Sequence, residues 1–234
     1  GFGVAWTQDV EDPSDARLAV SANYTSKDGA RSSLGLNNDD ARSFFLTKVE
    51  YGSPKWQVSA AMANKTSRTT LYDHDSDAGT ADVYRTHGYD GYFHSASATG
   101  TTGDMTAYAL RGYWKPDETG AIPEVQVGYD FASYDEAVAG QADETAGWMI
   151  GLGWKDALID GNRAGFAIGS AQAATSIKGG GASDPEEDNR RWEAYYQFKV
   201  NDGVTVTPAL FGGSDIGATA QDVTGAVLLT EFRF

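Results

Sequence analysis

From Arg191 to Phe234 the chain repeats every two residues, and that period commits it to extended strands. Trp192, Ala194, Tyr196, Phe198 and Val200 are apolar or aromatic, whereas Arg191, Glu193, Gln197 and Lys199 between them are charged or polar, with Tyr195 the exception. Successive side chains of a strand point to opposite faces, so this run has one greasy face and one wet face. Asn201-Asp202-Gly203 then supplies residues that tolerate positive φ, the chemistry of a tight hairpin. In the final run Ala226, Leu228, Thr230, Phe232 and Phe234 share one face, and Glu231 and Arg233 take the other. Trp192 and Phe234 stand at strand ends, where membrane barrels carry aromatic girdles. Strands of a soluble β-sandwich also alternate, so the pattern by itself leaves both architectures open.

The same period recurs upstream. Phe2, Val4 and Trp6 form one such face, as do Leu18, Val20, Ala22 and Tyr24, then Phe45, Thr47, Val49 and Tyr51, and later Val125, Val127, Tyr129 and Phe131. Eleven strands are predicted in all, with helical period confined to a single turn near 156–159. The connections fall into two alternating sets. One is 26–42, 67–103, 135–143, 172–190 and 214–221; the other is 8–15, 52–55, 115–123, 155–162 and 201–203. The first set is mostly the longer and carries nine more acidic than basic residues. Bacterial barrels have short periplasmic turns on one rim and longer external loops on the other, which accounts for the alternation. A Greek-key sandwich offers no reason for it. The acidic set is expected on the external rim.

Composition narrows the classes further. The chain has 234 residues, a formal net charge of −15 and no Cys, which removes disulfides, thiolate metal sites and a thiol nucleophile. The negative charge argues against nucleic acid as a partner. No run approaches eighteen apolar residues, so no transmembrane helix is expected, a test that β-barrel strands escape. Gly1 opens directly into strand-like sequence, without a signal-peptide pattern.

Three segments carry a family likeness. Residues 154–172 (WKDALIDGNRAGFAIGSAQ), 191–211 (RWEAYYQFKVNDGVTVTPALF) and the closing TEFRF of 230–234 resemble the C-terminal half of cyanobacterial outer-membrane porins, relatives of the carbohydrate-selective porins. The likeness is close from Gly147 to Phe234 and looser from Gly1 to Tyr113, and its motifs are mostly structural. It implies a passive channel in the outer membrane of a Gram-negative-type, cyanobacterial cell, assembled as a homotrimer in outer-membrane lipid. It also implies an anchor to cell-wall polysaccharide through an N-terminal surface-layer-homology domain that is not in this sequence. An even strand number, with both termini on the periplasmic side, adds the expectation that residues 1–234 are one N-terminally incomplete transmembrane barrel domain. The intact barrel would have about sixteen strands by the resemblance.

On this reading the apolar faces meet lipid and the polar faces meet water. Arg111, Gln126, Asp130, Arg191, Glu193, Gln197, Lys199, Glu231 and Arg233 are the expected pore-lining residues. Pro208, in mid-strand, forfeits a ladder donor and marks either a bulge or an interface position. The 67–103 segment is the candidate constriction loop, with Asp73, Asp75, Asp77, Asp82, Asp90 and all three histidines, His74, His87 and His94. Asp73 to Asp77 has oxygens for a hard cation but lacks the later Gly and twelfth-position Glu of an EF-hand loop, so no metal and no other cofactor is expected. No His falls on a predicted strand and no Gly-x-Ser-x-Gly occurs, so no catalytic set can be assembled and an enzyme is not expected. The function expected is passive diffusion of inorganic ions and small polar solutes. The alternative is a soluble β-sandwich adhesin or carbohydrate-binding module.

Overall fold

The computed structural model describes residues 1–26, 43–66, 104–117, 120–135, 142–179, 190–216 and 221–233. These residues form eleven strands and no helix: β1 (Phe2–Thr7), β2 (Arg17–Ser26), β3 (Ser43–Ser53), β4 (Trp56–Thr66), β5 (Met105–Trp114), β6 (Glu124–Tyr134), β7 (Ala142–Lys155), β8 (Arg163–Ile177), β9 (Arg190–Asn201), β10 (Val204–Ile216) and β11 (Gln221–Phe232). All belong to one sheet whose spatial order is the chain order, every neighbouring pair antiparallel. The described strands of this all-β meander are those read from the alternation. The two sets of connections consequently leave the sheet at opposite ends.

Register carries the two-faced character of each strand across the whole sheet. Along one row Trp6 lies opposite Val20, Val20 opposite Val49, Val49 opposite Ala60, Ala60 opposite Leu110, Leu110 opposite Tyr129 and Tyr129 opposite Trp148. A second row runs through Leu152, Phe166, Ala194, Leu210 and Ala226. A slip of one residue would throw these side chains onto the other face, so the apolar face fixes the pairing wherever the opposite face of the strand is polar. Bulges interrupt the register at the ends of β7 and β10 and beside the β9–β10 hairpin.

On β3–β7 the apolar face is the more open one, whereas on β11 both faces are exposed, with Val227 at 53% and Leu228 at 67% on opposite sides. On β6, Val127 and Tyr129 are each 46% exposed, whereas Asp130 is 5% and Ala132 0% exposed. There the sheet curls around the polar face. Aromatic residues collect at both ends of the open face. At the short-turn end the Tyr51 and Trp56 rings meet edge-on at 5.5 Å, Trp56 pairs with Trp114, and Tyr196 and Phe198 lie 4.6 Å apart. At the long-loop end Phe2 and Tyr24 are 5.5 Å apart, and Tyr108 stacks on Phe131 at 4.7 Å. Phe45 and Tyr51, Tyr108 and Trp114, Trp148 and Trp154, and Trp192 and Phe198 are each six residues apart on one strand. At the strand rise that is about 20 Å.

The enclosed face has its own small core. Ala63, Ala107 and Ala132 form a cross-strand row, joined by Met105 and Tyr134, with Phe44 and Leu46 packed against them. It sits where β4 leaves the sheet and β5 enters it.

Three local expectations need revision. Pro208 pairs with Leu228 and causes no bulge: the β9–β10 register is the same on both sides of it, with Val206 opposite Phe198 and Ala209 opposite Tyr195. Residues 156–159 are not a helical turn, because Asp156 and Leu158 have φ of 51° and 64°, in the left-handed region. Asp156 accepts a hydrogen bond from the Gly161 amide at 2.7 Å, which closes the loop in this form. Finally, β11 is apolar on both faces, since Val227 and Leu229 share the face of Glu231. Phe234 lies outside the described residues.

Candidate functional site

The polar face is the candidate site, and the register shows which of its side chains meet. Its residues gather in two groups. Arg111, Gln126 and Asp130 stand on β5 and β6; Arg191, Glu193, Gln197, Lys199 and Glu231 stand on β9 and β11, with Arg233 just past the end of β11. Between them the middle of the inner face of β7 and β8 is rich in glycine, with Gly151 opposite Ala167, Gly153 opposite Gly165, and Met149 opposite Gly169, and the Tyr195 ring lies over Gly165.

In the first group the charges are locked to one another. The Arg111 guanidinium donates through Nη2 to both Asp130 carboxylate oxygens at 2.7 Å, and through Nη1 to the carbonyls of Leu110 and Tyr129 at 2.9 and 3.3 Å. The Asp130 side chain is only 7% exposed. Gly128 makes the geometry available: a Cβ there would stand 3.2 Å from Arg111 Cδ and 3.3 Å from Nη1, so the arginine lies flat across the glycine to reach its partner. Below the pair a cavity of about 230 Å³ is lined by Gln57, Ser59, Tyr113, Lys115 and Gln126. Lys115 Nζ sits 4.8 Å from the centre of the Tyr113 ring.

The second group is looser. Lys199 Nζ pairs with Asp202 at 2.8 Å, and this charge-assisted contact holds the Asp202 carboxyl below its ordinary pKa. Thr205 Oγ1 donates to Glu231 Oε2 at 3.3 Å. The Lys199 backbone is pinned by its amide, which donates to Asn162 Oδ1 at 2.9 Å. Asn162, 3% exposed, also donates to the Tyr196 hydroxyl at 3.1 Å. Here the 156–162 turn folds back onto β9.

Lateral ion pairs punctuate the rest of the face. Lys48 meets Glu50, and Lys155 meets Glu124 at 2.5 Å. Gln57, Ser59, Glu124 and Arg163 join the face without having been singled out from the sequence, although each holds the polar phase of its strand's alternation. Asp73, Asp75, Asp77, Asp82 and Asp90, with His74, His87 and His94, lie outside the described residues. Among the described residues no group of three His, Asp or Glu side chains could hold a metal ion. What the arrangement offers chemically is a polar surface of fixed charges, several of them paired. No known family model matches the chain, and no curated protein does either.

Proposed function

We propose that this sheet is the wall of an outer-membrane β-barrel that forms a passive diffusion channel for inorganic ions and small polar solutes. One observation carries the reading: eleven described strands paired antiparallel in chain order, with an open apolar face edged by aromatics at both ends, opposite a polar face that is enclosed on β3–β7. Such a surface suits hydrocarbon about 25 Å thick, flanked by aromatic girdles, with water inside. A sandwich needs its apolar face covered by a second sheet. Here the described strands form one sheet, and Val4, Val58, Leu110 and Leu228 on that face are 52–70% exposed.

In lipid the free edges of β1 and β11 need partners, because each unpaired backbone group in hydrocarbon costs several kcal/mol. Ten antiparallel steps make β1 and β11 parallel to each other. A strand that pairs antiparallel with one free edge therefore also suits the other, and the proposed wall closes through such pairing. Ions cross by passing the paired charges of the polar face, whose field tunes preference without a tight binding site.

Reconstitution into a planar bilayer tests the reading. Discrete, stable conductance steps are expected, with a modest ion preference that moves when Glu193→Gln removes a lumen charge. A chain that stays in aqueous buffer without detergent and gives no steps would sink the channel.

A further inference from the structure

We propose that the short-turn end of the polar face on β8–β11 binds the phosphate group of a small solute. A cavity of about 320 Å³ opens there, and Arg163, Lys199 and Arg233 all line it, together with Gln197, Asp202 and Glu231. Three cations converging on one space are unexpected in a chain of net charge −15. Four other described cations meet carboxylates: Lys48 meets Glu50, Lys55 meets Asp117, Arg111 meets Asp130 and Lys155 meets Glu124.

The charges inside this cavity are not balanced in that way. Asp202 is taken up by Lys199. Glu231 accepts a hydrogen bond from Thr205 and has no ion pair with a described residue. Neither Arg163 nor Arg233 has an ion pair with a described residue, so the cavity holds two open guanidinium forks against one open carboxylate. A guanidinium fork matches two oxygens of a phosphate at once, and two forks match the tetrahedral group better than a planar carboxylate.

The frame of the cavity is built to hold its shape. Gly161, at φ +84°, lies under the Lys199 stem, where a Cβ would stand 3.2 Å from Cδ. Asn162 fixes the Lys199 amide, and the Arg233 amide donates to the Gly203 carbonyl at 2.8 Å. The floor is therefore tied by a side-chain bond to a backbone amide and the hairpin lip by a backbone bond, while the long cationic side chains are left to close on a guest. The volume exceeds what a bare phosphate fills, so a small phosphate ester fits as well as the free ion. The assignment rests on the polar face being the hydrated one.

Titrating the whole chain in detergent micelles with inorganic phosphate, and separately with glycerol phosphate, tests the site; backbone amide NMR shifts are read against chloride at equal ionic strength. Saturable shifts confined to Gly161–Arg163 and Asn201–Thr205 are expected with phosphate and not with chloride. Tighter binding of the ester would identify an esterified solute as the guest; equal or weaker binding would identify free phosphate. The double variant R163Q/R233Q should weaken phosphate at least tenfold, and E231Q should strengthen it. Should the double variant fail to fold, R163K/R233K keeps both charges, loses both forks and should still bind severalfold more weakly. Linear shifts shared with chloride, or unchanged affinity in the arginine variants, would overturn the site. Because micelle binding needs no conduction, a chain that binds phosphate but gives no conductance steps loses the channel and keeps the site, and the converse result does the opposite.

Discussion

The polar face solves the same problem in two ways. On β5 and β6 a cation and an anion are pressed against the wall, hydrogen-bonded to each other and to strand carbonyls, with the carboxylate nearly sealed from water. On β9–β11 the charges stand out into the open, with Lys199 47% and Asp202 99% exposed. Identical alternation on the strands produced both. Both stems lie over a glycine, Arg111 over Gly128 and Lys199 over Gly161; the difference lies in the partner, since Asp130 is a buried strand residue and Asp202 an exposed hairpin residue. The first region braces the wall, and the second leaves its charges exposed.

The sharpest way to break this contrast is to delete one charge from each region. Arg111→Ala leaves the buried Asp130 carboxylate without its partner and should destabilise the fold by about 3–5 kcal/mol, the usual cost of orphaning a buried charge. Arg163→Ala, which removes an exposed cation, should stay within about 0.5 kcal/mol of the parent. Urea titrations in micelles read both. Equal losses would mean that the two regions do not differ.

The two faces can be opposed in the same manner. Leu110 is 52% exposed at mid-strand on the apolar face, with Ala109 beside it on the polar face. In a lipid-facing wall Leu110→Lys should cost about 2–4 kcal/mol, as cations do near the bilayer midplane. Ala109→Lys should cost much less, because its ammonium reaches water. Refolding yield into vesicles, followed by the change in electrophoretic mobility on heating, ranks the two. If Ala109→Lys proved the costlier, the assignment of faces would be inverted.

A smaller effect sharpens the first contrast. Adding a side chain to a strand glycine usually gains stability by restricting the unfolded chain. At Gly128 the sign should reverse, since the new atoms would displace Arg111 Cδ and Nη1 from the flat path to Asp130. Gly128→Val should cost about 1–3 kcal/mol, as overpacking does. The same change at Gly120, where a Cβ would meet no atom but φ is +42°, tests backbone strain alone.

How far the sequence reveals this molecule depends on which interaction sets each feature. The positions and faces of the described strands were legible because burial of one face acts on every second residue, and Trp192-Ala194-Tyr196-Phe198 records it directly. The polar membership of Arg111, Asp130, Glu193 and Lys199 followed from the same period. Who pairs with whom was not legible. The Arg111–Asp130 contact needs the offset between two strands and the empty space over Gly128, and neither is local to either residue. The left-handed turn at Asp156 and Leu158 escaped because a side-chain bond to Gly161 outweighs the preference of Leu for negative φ. Val227 and Leu229 were overlooked because Glu231 and Arg233 alone had defined their face.

The gentlest probe is pH, and it acts on the open region. Asp202 is fully exposed, and its pKa is lowered from 3.8 by a hydrogen bond from Lys199 and, secondarily, by the charge of that ammonium. A depressed acid pKa means that the folded chain holds the carboxylate more firmly than the unfolded chain does. The contribution is thus present in full above the ordinary aspartate range and disappears as pH falls through the lowered folded value. Carboxyl-carbon NMR of Asp202 should titrate below pH 3.8, and Lys199→Gln should return its midpoint to the ordinary value. Stability should hardly change in that variant, because exposed pairs are worth little. Conductance above pH 5 should likewise be insensitive to this group, which stays ionised there. An Asp202 midpoint that remains low in Lys199→Gln would show that the hairpin amides, and not the lysine, hold the charge.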